Sequence, residues 1–244
     1  MNILKLSIIA VAFCLFAKLN AGAQTPSNGE ELIVEMHSAH SAKWYEHITF
    51  KQEMYWYKQD SLLKNEVWIV AYSAPSMLHI RYKDFDSGRG WIVANDTLYA
   101  FNHNKLIGKR PRLHTHIALG FDVYFVAPEV MIPRIEKMGF NLMELAIVEI
   151  NGHEVYQVGN PATSCFWVHP ESLLFYGVRS IDESGVKDTF FEKYKQFYGK
   201  PVATQVQYFQ DGNLYLFEKY FEIRLPSIFP KSYFNPNEFV NTRW

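Results

Sequence analysis

Alternation with a period of two runs through most of this sequence and constrains its fold more than any other feature. Ile48, Phe50, Gln52, Met54 and Trp56 interleave with Thr49, Lys51, Glu53, Tyr55 and Tyr57. Successive side chains of a strand point to opposite faces, so such a run marks a strand with one face buried. Comparable runs occupy residues 67–73, 78–85, 91–94, 98–101, 147–150, 155–158, 164–168, 173–181, 186–197, 202–209 and 214–223. Turn residues punctuate them: Lys64-Asn65, Ser87-Gly88-Arg89-Gly90, Asn95-Asp96, Asn151-Gly152 and Asp211-Gly212. Hairpin spacing throughout predicts a mainly β fold with some helix, about ten or eleven strands in one antiparallel meander. A sheet that wide has to curl or split. A single strongly curved sheet, a half-barrel, follows.

Two segments break the alternation. Ser27-x-x-Glu30 has the form of a capping box, and Leu32, Met36 and Ala39 recur at helical spacing, which predicts a helix over residues 29–44. Midway, residues 108–116 read as a basic loop containing Pro111. Pro128 and Glu129 then open a short helical pattern with Val130, Met131, Ile135 and Met138, stopped by Gly139. Pro133 should kink or split it. Each helix carries an apolar stripe that has to be buried. The inner face of the curved sheet is the only surface large enough, so both helices are expected there as a lid. Pro226, Pro230 and Pro236 close the chain in a non-helical tail.

The first 23 residues read as a secretory signal peptide. Lys5 gives the positive start, residues 6–17 are apolar, and Ala21-Gly22-Ala23 is a small-residue cleavage site that leaves Gln24 first. A membrane anchor needs about 20 apolar residues, and this run ends at Lys18. No Cys stands at the cleavage point to carry a lipid. Residues 24–244 are expected to form one exported domain. Without Lys5 and Lys18, 22 basic residues face 25 acidic ones, a net charge of −3. That balance argues against nucleic acid as a partner. Cys165 is the one cysteine left after cleavage, so no intramolecular disulfide is possible, and the fold has to rest on core burial.

Catalytic signatures are lacking. His114-Thr115-His116, with His103 nearby, offers imidazoles but no carboxylate or thiolate close in sequence to complete a metal shell, so no metal site is expected. His37 and His40 have the wrong spacing for a His-Glu-x-x-His site. Ser61-Leu62-Leu63-Lys64 and Ser184-Gly185-Val186-Lys187 match S-x-x-K formally. Both fall at hairpin turns rather than at a helix start, where that chemistry needs its serine. Neither a cofactor nor an enzymatic activity is expected.

What remains is an aromatic content of 16% against only 20% charged residues. Phe50, Met54, Trp56, Trp68, Ile80, Tyr82, Trp91, Tyr99 and Phe101 fall on strands of the first half, and Phe175 on one of the second. With Met131 and Ile135 of the helical segment they are the candidates to line a hydrophobic cavity. Phe191, Phe197, Tyr208, Leu216 and Tyr220 add to the same apolar set. Alternation alone allows two outcomes, an open cavity or a filled core. A cavity would matter energetically: each buried CH₂ gives about 0.8 kcal/mol, so a sixteen-carbon chain leaves water at a gain of roughly 12 kcal/mol.

Signal peptide, helix, long meander and mid-chain helical insertion together resemble the LolA/LolB-type lipoprotein-carrier fold of the Gram-negative envelope. The residues that carry the likeness are Leu119-Gly120-Phe121-Asp122-Val123-Tyr124-Phe125, Pro128-Glu129 and Met138-Gly139-Phe140. Gly152-His153-Glu154-Val155-Tyr156-Gln157-Val158-Gly159 and residues 166–174, Phe-Trp-Val-His-Pro-Glu-Ser-Leu-Leu, complete it. The resemblance runs from about residue 28 to the C-terminus. It implies a half-open sheet lidded by helices, a periplasmic location, and a non-catalytic role in binding a lipid, lipoprotein acyl chains or another hydrophobic ligand. It also implies an envelope acceptor as partner and a monomeric state. A structural module of the same fold with a filled core is the alternative. The lid-locking arginine of the carriers has no counterpart here, and no release mechanism carries over.

Overall fold

The computed structural model describes residues 25–244, and the expected signal peptide lies outside them. Asn28, not Ser27, caps the first helix, α1 (Gly29–His40). Its side chain accepts the Glu31 N–H at 2.9 Å, while the Glu31 carboxylate accepts the Ser27 N–H at 2.8 Å. This is a variant of the capping box in which Glu31 reaches back one residue past the cap, to Ser27. The helix ends before the expected residue 44, in a 3₁₀ turn (Ser41–Lys43).

Six strands follow: β1 (His47–Lys58), β2 (Ser61–Ser73), β3 (Met77–Tyr82), β4 (Gly90–Ala94), β5 (Thr97–Asn102) and β6 (Lys105–Pro111). The insertion then brings α2 (Thr115–Ile117), a π-helical segment (Ala118–Asp122), α3 (Val123–Phe125) and α4 (Pro128–Lys137). The second half runs through β7 (Leu145–Ile150), β8 (His153–Asn160), β9 (Ser164–Val168), β10 (Phe175–Asp182) and β11 (Gly185–Glu192). After the small hairpin β12 (Lys195–Phe197) and β13 (Lys200–Val202) come β14 (Gln205–Gln210) and β15 (Asn213–Arg224).

Thirteen strands make one sheet in the order β6-β5-β4-β3-β2-β1-β15-β14-β11-β10-β9-β8-β7, every pair antiparallel. The outermost strands, β6 and β7, are consecutive in the chain, so the insertion travels from one edge of the sheet to the other. The sheet stays open as a strongly curved half-barrel.

Register fixes which side chains face inward. One row joins Ile48, Tyr72, Leu78 and Val93, and another joins Val158, Phe166, Val178, Thr189, Tyr208, Leu216 and Trp56. Most of these residues belong to one core that also holds Leu32, Ile33 and Met36 of α1 and Met131 and Ile135 of α4. Both helices therefore sit on the concave side. Curvature and lid share one cause, burial of the inner face around α1 and the insertion.

Several boundaries differ from expectation. Lys64 and Asn65 lie inside β2, and the turn comes earlier, at Gln59 and Asp60, with φ of 48° and 62°. Two left-handed residues suit the right-handed twist of a hairpin. Asn95-Asp96 and Asn151-Gly152 adopt the same form where expected. Residues 105–111 form a strand, so the first part of the loop expected over residues 108–116 is strand instead; every residue of it is exposed, with Lys105, Lys109 and Arg110 along the sheet's edge. Charges there discourage pairing with other chains. Pro133 does not split α4. At the sixth position it removes one hydrogen bond, to a carbonyl of the first turn.

The outer face is not bare. The tail, which includes 3₁₀ turns at Lys231–Phe234 and Pro236–Glu238, packs Phe239 against Ile92, Ala94 and Phe101. Arg81, fully buried, donates to the carbonyls of Phe239 and Phe85, and its guanidinium lies 3.8 Å from the Phe239 ring. In the other half Trp167, Tyr176, Phe190, Val155 and Cys165 form a separate outer cluster. Among the described residues no helix is long and apolar enough to cross a membrane.

Candidate functional site

Between the inner face of β1–β4 and the start of the insertion lies a cavity of about 110 Å³. Phe50 faces Val70 across β1 and β2, Val70 faces Ile80, and Ile80 faces Trp91, so one row of pairs builds a wall. The next row sets Gln52 between Trp68 and Tyr220. Ile117 and Phe121 close the cavity from the insertion, and Phe191, Tyr208 and Glu218 from the second half of the sheet. By the same measure one water takes roughly 10–15 Å³, so the space holds on the order of eight waters. A long acyl chain needs more.

More room adjoins it. A cleft of about 460 Å³ shares His114, His116 and Tyr208 with the cavity and is otherwise walled mainly by polar groups, including Arg112, Ser180, Asp182, Lys187 and Tyr215. An apolar chamber thus opens beside a polar vestibule, with the two histidines at the join. Their ring centroids are 5.7 Å apart, and His114 stacks on Trp91 at 5.9 Å. Packing around them, reinforced by the nearby Arg112, holds His114 well below the usual imidazole range and His116 down to about 4. Both are neutral at pH 7. Among the described residues no group of three or more His, Cys, Asp or Glu is placed to hold a metal ion.

Glu218 is the one carboxyl group in the cavity wall. It faces Met54 on β1 and Val206 on β14, and the Tyr220 hydroxyl donates to it at 2.9 Å. Burial pushes its pKa up from 4.5 to about 7, against the opposing pull of hydrogen bonds from Tyr220 and Tyr208.

The insertion is anchored to the sheet through Asp122 at the end of the π-helical segment. This fully buried carboxyl accepts from the Tyr72 hydroxyl at 2.6 Å, from the Ser76 N–H at 3.0 Å and from the Ser76 hydroxyl. Burial raises its pKa. Two residues on, the Tyr124 oxygen accepts the Phe175 N–H at 2.6 Å and donates to the Leu173 carbonyl at 3.3 Å. Arg134 of α4 pairs with Asp96 in the β4–β5 turn.

Of the candidates named from sequence, Phe50, Trp68, Ile80 and Trp91 line the cavity. Met54 and Trp56 share their face but lie farther along β1: Met54 is buried opposite Glu218, and Trp56 packs 5.7 Å from Trp68. Tyr82 stacks on Trp68 at 4.2 Å and borders a different cleft, with Arg89. Phe175 lies inside, 5.1 Å from Phe191, without reaching the cavity. Met131 and Ile135 are spent on holding α4 in the core. Tyr99 and Phe101 belong to the outer cluster, Phe101 stacked 3.9 Å from Phe239. Pairing of Tyr99 with Ile92 sends it to the face opposite Trp91.

Gln52, His114, His116 and Glu218 are wall residues that a search for apolar positions misses, whereas Tyr208 and Tyr220 join the wall from the apolar set. A signal was present. Leu216, Glu218 and Tyr220 have the same parity on one strand, so two apolar inward residues place the carboxyl between them on the inner face.

No protein-family model matches the sequence, and no curated protein is significantly similar to it. Solved structures are. A DUF1329 family protein from Desulfovibrio piger aligns with a TM-score of 0.60 at 13% identity, over 86% of this chain and 97% of that one. A LolA superfamily protein from Nitrosomonas europaea gives 0.56 at 12%, over 83% and 97%. An outer membrane lipoprotein-sorting protein domain from Vibrio parahaemolyticus gives 0.60 at 14%, over 87% and 98%. At such identities the likeness is one of fold, and the fold of this chain is the LolA-like one: an open, curved antiparallel sheet lidded by helices.

Proposed function

We propose that the protein is a non-catalytic periplasmic binding or carrier protein for a hydrophobic ligand, a lipid or the acyl chains of a lipoprotein. The observation that carries this reading is the ring-lined cavity held between the sheet and residues 114–121. The fold shared with a lipoprotein-sorting domain supports it. Transfer of an apolar chain from a membrane into such a chamber is nearly balanced, because both surroundings are apolar. Order in the insertion then decides uptake or release. The chain acts as a monomer that passes its ligand to an envelope acceptor.

A second reading, a structural module with a filled core, is favoured by the tightness of the lid. Leu32, Ile33, Met36, Leu119, Val123 and Ile135 are all fully buried. Delipidated protein separates the two. A carrier binds a fluorescent fatty acid with one-to-one stoichiometry and copurifies with lipid in native mass spectra. Failure on both counts decides for the filled core.

A further inference from the structure

Glu218 is 6% exposed, and among the described residues no Lys, Arg or His nitrogen ion-pairs with it. A buried carboxylate without a counter-charge is costly, and proteins normally pair or neutralise it. Here only two phenols serve it. Around it the cavity is walled by aromatic rings, among them Phe50, Trp68, Trp91 and Tyr208. Ring faces carry negative potential and attract cations. An anionic head group would meet both the carboxyl and those faces, while a neutral chain would gain from neither. His114 is also a wall residue: among the described residues its buried Nδ1 has no hydrogen-bond partner, and a neutral imidazole can accept there.

We propose that the cavity selects a lipophilic organic cation, an amine-bearing molecule whose ammonium group sits against Glu218 within the aromatic wall and whose apolar tail fills the remaining space. This rests on the ligand-binding reading above and narrows it to one head-group chemistry. The missing counter-charge of Glu218 is supplied by the ligand. Neutral His114 and His116 at the entrance do not repel it.

The test uses delipidated mature protein and three probes of one chain length below their micelle concentrations: dodecylammonium, dodecanol and dodecyl sulfate, titrated by tryptophan fluorescence at pH 8. Dodecylammonium should bind about tenfold more tightly than dodecanol, as expected of one desolvated cation site, with dodecyl sulfate weakest. Glu218→Gln should bring the ammonium and alcohol to equal affinity. Wild-type protein at pH 5 gives the same comparison without a variant, because the carboxyl is then protonated. Of the other titratable groups facing it, Tyr208 and Tyr220 stay protonated, burial holds His116 at about 4, below that range, and burial lowers His114 in the same direction. Equal binding of ammonium and alcohol by the wild type at pH 8, or a cation preference that survives both Glu218→Gln and pH 5, overturns the proposal and leaves the hydrophobic-ligand reading intact. Binding of none of the three overturns both.

Discussion

Tyr72 and Asp122 join the sheet to the insertion through a 2.6 Å hydrogen bond between a strand phenol and the carboxyl that ends the π-helical segment. Neither is exposed, so water cannot replace either partner. Tyr72→Phe should cost about 1–2 kcal/mol, one buried hydrogen bond, and Asp122→Ala about 3 kcal/mol or more, because Ser76 and Tyr72 both lose their acceptor. Urea unfolding measures the cost. Hydrogen exchange in either variant should quicken first over residues 115–126; uniform quickening would mean that the pair does not govern the lid.

The tryptophans separate wall from core. Trp68 and Trp91 border the cavity, whereas Trp167 is buried on the outer face against Phe190 and Tyr176. Trp167→Ala should cost about 3–5 kcal/mol, the range for a large ring in a packed core, and leave ligand affinity alone. Trp68→Ala and Trp91→Ala should cost less stability and weaken fatty-acid binding. Calorimetric melting beside a binding titration distinguishes them, and three equal stability losses with unchanged binding would speak for a filled core.

Strand positions were legible because alternation and turn dipeptides are local: Asn95-Asp96 and Asn151-Gly152 turn where their residues can take positive φ. The face that a strand presents was less so. Tyr99 and Phe101 look as eligible as Trp91 in sequence, yet β4–β5 register sends them outward, and a register shift next to Phe101 in the pairing with β6 disturbs the pleat further. Nor can alternation show that a Pro-rich tail covers the outer face, since the tail touches β3 through contacts more than 150 residues apart. Part of the wall is polar. Gln52 and Glu218 sit where a one-face rule expects apolar residues, and only the parity of their neighbours reveals them.

That tail offers a clean test of the outer face. Arg81→Ala removes the donor to the Phe239 and Phe85 carbonyls and the cation that stands over the Phe239 ring. Leaving those buried groups unmatched should cost about 3 kcal/mol. Phe239→Ala should cost a similar amount through the void beside Phe101 and Ile92. Both changes lie across the sheet from the cavity. Fatty-acid affinity measured on folded variants should therefore match the wild type, and a parallel loss of binding would show that the two faces are coupled.

Glu218 and His79 give stability opposite slopes with pH. The folded-state pKa of Glu218 is raised from 4.5 to about 7, so the folded chain holds that proton more tightly than the unfolded one. Its contribution is fully present below pH 4.5 and is lost as pH rises to 7, a change of roughly 3 kcal/mol. Burial drives His79 the other way, from 6.5 down to about 3, despite its 2.7 Å contact with the Tyr233 carbonyl. Its contribution is present above pH 6.5 and is lost as pH falls toward 3. Urea unfolding of wild type and Glu218→Gln at pH 5 and pH 8 isolates the first effect. The variant should gain on the wild type by roughly 3 kcal/mol between those values. A difference that stays constant would show that the carboxyl reaches water in the folded chain, and with it that the cavity is wet at Glu218.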